Sequence, residues 1–396
     1  MPSKTMKNKI IYPNYENSIL NLTSSLLECF DVPAEFPPLK QLDITELKKN
    51  QNVIFLILDG LGNNLLEKFD DCCRLLSEFR LDVITSVFPS TTTAAITSMM
   101  TGISPFEHGA IGWSLYFKEH FKLIDFIPVN DSVSQENLAK KFPSIFNMLP
   151  PKNIFEKIRE KNSEIKLFQL SPVTIYNSNY NKKISSGAEV IAYEKFEHLF
   201  QIMKHLVSEK GKKLIVIYSS FPDALEHRFG VYSQEVRDLL TEFNLELEKF
   251  LSKVKNTNSS LIISADHGLI DIKKYHQLDA NSPIYPNLIL PAFPEPRFVS
   301  FFVKQHKLKE FEEAVNALDS EFLFMKREQF LSSELIAGNR IHPKIDDFVG
   351  NYVGIATGTS AFKNVFPNFP KPPIFKAHHS GLTPDEMFVP LIKIDF

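Results

Sequence analysis

Acidic and histidine residues recur in this chain just past short apolar runs. Asp59 follows Ile54-Phe55-Leu56-Ile57-Leu58, Asp223 and His227 follow Leu214-Ile215-Val216-Ile217-Tyr218, and Asp266-His267 follow Leu261-Ile262-Ile263-Ser264. His378-His379 lie near the C-terminus, and the hydroxyl cluster Ser90-Thr91-Thr92-Thr93 falls between the first two runs. Carboxylates, imidazoles and a hydroxyl converging on one place are the components of a two-metal phosphoryl-transfer centre. Asp223 and His227 are spaced i, i+4, so one helical turn puts them on the same face; a surface ion pair has the same spacing. Asp266 and His267 are stronger, because two ionisable groups at the end of a buried strand are poor core material. Being adjacent, both reach one ion only if the chain turns there, and Gly268 permits that turn. Asp59 alone also suits a simple turn, and either C-terminal histidine suits a solvated loop. Phe88-Pro89-Ser90 ends an extended stretch and residues 92–100 have helical character. A threonine at that boundary sits at a helix N-terminus, where unpaired N–H groups and the dipole favour an anion. Taken alone, capping by Ser90 or a threonine is the simpler reading.

The elements that must position these residues follow from periodicity. Residues 53–58, 214–218 and 261–264 are apolar without alternation, as in central parallel strands buried on both faces. Residues 83–87 and 389–394 are weaker strand candidates, and Pro390 in the latter favours a sheet edge. Helical patterns fall at 92–100, 154–161, 193–209, 233–254 and 307–318. Strands alternating with helices predict an α/β fold: a mostly parallel central sheet flanked by helices. Ligands bind such sheets beyond the carboxyl ends of the strands, where the acids and histidines lie. Two regions, about 114–190 and about 272–375, interrupt the pattern with polar and proline-containing stretches. They read as insertions forming a cap over the sheet's carboxyl edge of a single domain spanning 1–396. The second adds a small α/β layer of its own, at about 297–326.

The chain has 396 residues, 43% of them hydrophobic, with a net charge of −3 and scattered basic residues. That balance gives no electrostatic case for nucleic-acid binding. Phe is frequent, at 35 residues, and Gly scarce, at 14, which predicts tight packing and few flexible linkers. Cys29, Cys72 and Cys73 make no disulfide framework and suit a reducing cytoplasm. Residues 1–11 carry lysines without a following apolar segment, and no run approaches the roughly 20 apolar residues of a membrane span. A cytoplasmic protein is therefore expected, with no membrane partner.

The ordered motifs resemble the alkaline phosphatase superfamily, in its type I phosphodiesterase/nucleotide pyrophosphatase branch. Residues 88–102, followed by Pro105 and His108-Gly109, resemble that family's nucleophile segment, and counting back from Thr101-Gly102 puts the nucleophile on Thr92 rather than Thr91. Pro222-Asp223, His227 and Gly230 resemble a second motif, and Asp266-His267-Gly268 a third. His379-Ser380-Gly381 resembles the C-terminal histidine loop and selects His379 over His378. The resemblance implies two divalent ions, one held by Asp59, Asp266, His267 and Thr92, the other by Asp223, His227 and His379. Mixed N and O ligands suit Zn²⁺, with Mn²⁺ or Fe as alternatives. It also implies attack on phosphorus by Thr92 through a phosphothreonine-type intermediate, with a helix-terminal N–H, that of Thr93, sharing the phosphoryl charge.

The substrate implied is a small-molecule phosphoester, with nucleotides as candidates. A phosphomonoesterase or phosphonate hydrolase on the same scaffold, and a metal-binding scaffold without turnover, are the alternatives. Three departures bear on the substrate. The asparagine that usually follows the His-Gly pair is missing from Ile111-Gly112-Trp113-Ser114. Thr93-Ala94-Ala95 follows the nucleophile, where the family has Phe-Pro-Asn. Glu226 replaces a glycine before His227. Trp113 offers a stacking surface for a flat group, or else packs a lid.

Overall fold

The computed structural model describes residues 9–318, 321–366, 369 and 374–396. The segment before Lys9, which carries most of the N-terminal expectation, lies outside the described residues.

Seven strands form the central sheet: β1 (Asn52–Leu58), β2 (Arg80–Thr85), β3 (Lys166–Pro172), β4 (Glu189–Tyr193), β5 (Lys213–Ser219), β6 (Ser259–Ser264) and β7 (Phe388–Asp395). Their order across the sheet is β2-β7-β6-β1-β5-β3-β4. β1 pairs in parallel with β5 and β6, and β3 pairs in parallel with β5 and β4. Only β7 runs antiparallel, to β2 and β6. Every residue of β1 and β6 is buried, which is why their sequences are apolar on both faces. Register sets the site: Leu58 pairs with Ser219 and Ile57 with Ser264, so the carboxyl ends of three central strands finish side by side.

Pro390 does not place β7 at the sheet edge; β2 holds that position. The physical reason is local. Residues 388–391 of β7 pair only with β2, and pairing with β6 begins at Ile392, so the proline sits where one flank has no ladder.

The helices follow their patterns closely. α1 (Ile19–Cys29) packs on α2 (Thr92–Thr101), with Thr23 Oγ1 donating to the Met99 carbonyl at 3.2 Å. α3 (Asp223–Phe229) is short, and α4 (Gln234–Lys253) buries the stripe Val236, Leu240, Phe243, Leu247 and Phe250. The helix expected over 193–209 starts later, at Phe196, because Tyr193 closes β4.

The first insertion is smaller than its pattern suggests. Residues 114–131 do leave the sheet, as three short strands (Ser114–Phe117, Lys122–Asp125, Asn130–Asp131). β3 and the start of β4, however, belong to the central sheet and correct the 114–190 boundary. β3 was hidden by Gln169 and Ser171, buried polar residues that bond to each other, while Ser171 also donates to Asn181 Oδ1. The second insertion contains a four-stranded antiparallel sheet, ordered Phe293–Pro294, Phe298–Phe301, Tyr352–Ala356, Phe322–Lys326. It reaches well beyond 297–326. With the helix Leu308–Asn316 it closes a second core built on rings such as Phe301–Phe311 and Phe322–Phe362.

His108 ties α2 to the turn that follows it. Its Nε2 lies 3.1 Å from Ser98 Oγ and 3.2 Å from the Ala94 carbonyl, while Nδ1 accepts from Ala110 N at 3.1 Å. Burial pushes its pKa down to about 3, so the native ring is neutral. Unfolded, a histidine titrates near 6.5, so below that pH the unfolded chain binds the extra proton and stability falls with falling pH. The expected slope is about 1.4 kcal/mol per pH unit between roughly 6.5 and 3. Urea unfolding at pH 7.5 and pH 5 checks this: wild type should lose about 2 kcal/mol more across the interval than His108→Gln. Equal losses would show that another group carries the acid sensitivity.

Candidate active site

The three acids that follow the central strands converge. Asp59 and Asp266 face His267, with His267 Nε2 at 3.6 Å from Asp59 Oδ1 and 3.4 Å from Asp266 Oδ2. Asp223 opens α3 and His227 lies one turn on, its Nε2 3.2 Å from Asp223 Oδ1. His379 Nε2 is 4.0 Å from the same oxygen, and its ring stacks on His267 with centroids 3.9 Å apart. Thr92 Oγ1 sits 3.2 Å from His267 Nε2. Ligand atoms of two trios lie within 4.8 Å of one another: Asp59, Asp266 and His267, and Asp223, His267 and His379. The first holds three of the four residues expected around one ion, Thr92 being the fourth. In the second, His267 falls where His227 was expected, while His227 stays beside Asp223 with its Nε2 3.2 Å from Oδ1. His378 belongs to neither trio; its ring packs against His227, Phe375 and Tyr275 and lines the same cavity.

Neighbours fix these side chains. His227 Nδ1 is 2.7 Å from the Ala377 carbonyl, which aims Nε2 at Asp223. Asp266 Oδ1 accepts from the N–H groups of Gly60 and His267, at 3.1 and 3.0 Å. The Tyr218 hydroxyl donates to Asp59 Oδ2. Gly60 has φ +80°, and a Cβ there would lie 2.8 Å from the Asp223 Cα, so only glycine lets the two motifs touch. Gly268 is needed for room rather than for a turn: a Cβ would stand 2.1 Å from the Asp385 carbonyl.

Thr91 occupies the N-cap of α2 and Thr92 its first helical position. The cap side chain does not cap. Thr91 Oγ1 donates instead to Glu295 Oε1 at 2.6 Å, and Ser90 Oγ donates to the Gly381 carbonyl at 3.1 Å. The first-turn N–H groups of α2, that of Thr93 among them, therefore have no capping side chain among the described residues and suit an anion.

Electrostatics show what the site lacks among its own residues. Burial raises the Asp59 carboxyl well above its usual range, with Asp266 and Asp223 adding repulsion. Burial also raises Asp266 and, more strongly, Glu226. Burial works the same way on Asp223, but the neighbouring His227 outweighs it and holds that carboxyl low; His227 is raised in turn. Asp59 Oδ1, Asp223 Oδ1 and Asp266 Oδ2 are sealed from solvent and accept no hydrogen bond. Buried acceptor atoms of this kind call for a cation. Hard carboxylate oxygens with imidazole nitrogens fit a divalent metal.

Thr92, Asp223, His227 and His379 open onto a cavity of about 400 Å³. Both inserted regions line it: Ser114 and Leu123 from the first, with Trp113 just ahead of it, and Phe293 to Pro296 and Phe362 from the second. Trp113 is 41% exposed, so its ring is wall rather than core. Sequence reasoning missed Glu295. It is buried, its Oε1 accepts from Thr91 Oγ1 and from Trp113 N, both at 2.6 Å, and burial lifts its pKa to about 7. The available signal was a lone acid between two prolines in an apolar stretch. Glu226, noted only as a departure, is wholly buried beside Gly60 with neither carboxyl oxygen bonded.

Comparison with known proteins agrees with this picture. A family model for type I phosphodiesterase/nucleotide pyrophosphatase matches residues 53–322. No curated protein matches the sequence. Among solved structures, murine ectonucleotide pyrophosphatase/phosphodiesterase 5 is 15% identical, over 86% of this chain and 87% of that one, with a TM-score of 0.61. An inactive form of it in complex with AMP gives 16%, 86% and 87%, and 0.62. Phosphonoacetate hydrolase from Sinorhizobium meliloti in complex with phosphonoformate gives 14%, 87% and 90%, and 0.63. At these identities the likeness is one of fold. No described helix is long and apolar enough to cross a membrane.

Proposed function

This chain belongs to the type I phosphodiesterase/nucleotide pyrophosphatase family, and we propose that it cleaves phosphodiester or pyrophosphate bonds of a small molecule through Thr92 beside two divalent-metal sites. It is a hydrolase acting on phosphoester bonds, metal-dependent as its family is. The observation that carries the finer reading is the set of three sealed, unbonded carboxylate oxygens gathered around Thr92 and His267.

Asp59, Asp266 and His267 would hold one ion and Asp223, His227 and His379 the other, with Zn²⁺ the best chemical match. When bound, the ions supply positive charge that lowers the pKa of the Thr92 hydroxyl and offsets the charge of the phosphoryl group. Thr92 is placed to use it. Its Oγ1 heads α2, where the first-turn N–H groups, including that of Thr93, take phosphoryl oxygens that would otherwise be unpaired. In the first step the Thr92 hydroxyl gives its proton to solvent as the Oγ1–phosphorus bond forms, and the bond to the leaving oxygen breaks, that oxygen taking up a proton. In the second, water bonds to phosphorus and releases a proton, the Thr92 ester bond breaks, and Oγ1 takes up a proton to restore the threonine hydroxyl. Trp113 and the cap's apolar residues wall off the organic part of the substrate. Cys29, Cys72 and Cys73, all free thiols, support a cytoplasmic setting.

Stripping and reloading the protein tests this. Titrating Zn²⁺ or Mn²⁺ into chelator-treated protein should show two tight equivalents, with a rise in Tm of several degrees as binding couples to stability. Hydrolysis of an aryl phosphodiester should return with loading. A loaded protein that cleaves neither aryl phosphodiesters nor dinucleotides would sink the proposal.

A further inference from the structure

We infer that Glu295, brought in by the cap, is the specificity-determining residue that makes this site prefer monoanionic phosphodiesters to dianionic phosphomonoesters. The inference rests on the phosphoester reading above and adds the charge state of the substrate.

Glu295 stands beside the nucleophile. Its Oε1 is fixed by the hydroxyl of Thr91, immediately before Thr92, and by the N–H of Trp113. The Trp113 N–H is thereby committed to a carboxylate, which leaves an acceptor beside the nucleophile. Glu295 lines the same cavity as Thr92.

A carboxylate there repels phosphoryl oxygens in proportion to their charge. Above pH 7 a monoester is close to dianionic and a diester carries a single charge. Discrimination of this kind comes from building repulsion against the wrong partner. The rest of the cavity wall adds to it: Trp113, Phe293, Pro294 and Phe375 present apolar surface suited to the second organic group that only a diester has. A merely structural Glu295 would tie Thr91 and Trp113 to the cap and leave substrate charge unread.

Glu295→Gln separates the two. Its amide oxygen can keep both hydrogen bonds, while its NH₂ puts a donor where the second carboxylate oxygen was. The metal-loaded protein is assayed at pH 9, where a carboxyl whose pKa is about 7 is ionised. Initial rates are compared for an aryl phosphomonoester and the methyl diester of the same leaving group. Binding of phenylphosphonate and its monomethyl ester, dianion and monoanion, is measured in parallel by calorimetry. Glu295→Gln should raise the monoester-to-diester ratio of kcat/KM about tenfold and shift the two phosphonate affinities the same way. Glu295→Asp, which keeps the charge, should stay near wild type in both. Ratios within twofold of wild type for Glu295→Gln, in kinetics and in binding, overturn the inference. A wild type that hydrolyses neither ester yet shows the phosphonate shift would sink the hydrolase reading and leave the Glu295 assignment standing.

Discussion

Thr92→Ala should lower turnover of an aryl phosphodiester by about four orders of magnitude or more, the scale seen when a covalent nucleophile is removed. The variant should fold normally. Thr92 is half-buried at the first position of α2 and its hydroxyl contacts only the His267 ring, so alanine changes stability by no more than about 0.5 kcal/mol. Metal binding should survive, because the carboxylates and imidazoles remain. Thr92→Ser keeps the hydroxyl and should retain far more activity than alanine. Acid-quenched wild type mixed with excess diester should carry covalent phosphate on the peptide containing Thr92, and Thr92→Ala should carry none. The neighbouring threonine is the control. Thr91 points its hydroxyl at Glu295 and not at His267, so Thr91→Val should still form the phosphoenzyme. Full activity in Thr92→Ala, or phosphate recovered on Thr91, would remove Thr92 from the mechanism.

The acids past the strands were legible because burial on both faces leaves a strand without alternation. Such a run must stop at the sheet's edge, and Asp59, Asp223 and Asp266 each follow one. The spacing of Asp223 and His227 was equally local, one turn of α3. What was not legible is whatever tertiary contacts alone decide. β3 was read into the first insertion because Gln169 and Ser171 interrupt its apolar pattern; buried in the fold, they bond to each other and Ser171 to Asn181. α1 went unseen because it is buried nearly all round; its hydroxyls return to their own helix, Ser24 Oγ to the Leu20 carbonyl and Ser25 Oγ to that of Asn21. Glu295 meets Thr91 and Trp113 across separations of 204 and 182 residues, beyond any local pattern. The strand ends could thus be read in sequence, whereas the contacts that the inserted regions make beside Thr92 could not.

Arg297→Met should destabilise the protein by about 3–5 kcal/mol, the usual result of leaving one partner of a buried ion pair alone. Arg297 and Glu386 are both fully buried. The guanidinium holds the carboxylate from two nitrogens, at 2.6 and 2.8 Å, and donates to the carbonyls of Ser360 and Gly358 at 2.7 and 2.8 Å. Glu386 spends its remaining lone pairs on the loop carrying His379: it accepts from Gly381 N, Thr383 N and Thr383 Oγ1, at 2.7, 3.2 and 2.7 Å. Its own carbonyl accepts from Gly268 N at 3.0 Å, next to His267. One ion pair therefore fastens the cap to two loops that bring histidines to the site. Lysine cannot reproduce the paired geometry, so Arg297→Lys should recover only part of the loss. Urea unfolding gives the stability change, and calorimetry on folded Arg297→Lys should show metal affinity weakened by about tenfold or more, as for residues that orient ligands without touching the ion. An unchanged urea midpoint in Arg297→Met would mean that the apolar surroundings alone hold the cap in place. A lower midpoint with unchanged metal affinity in Arg297→Lys would mean that the pair stabilises the fold without positioning His379.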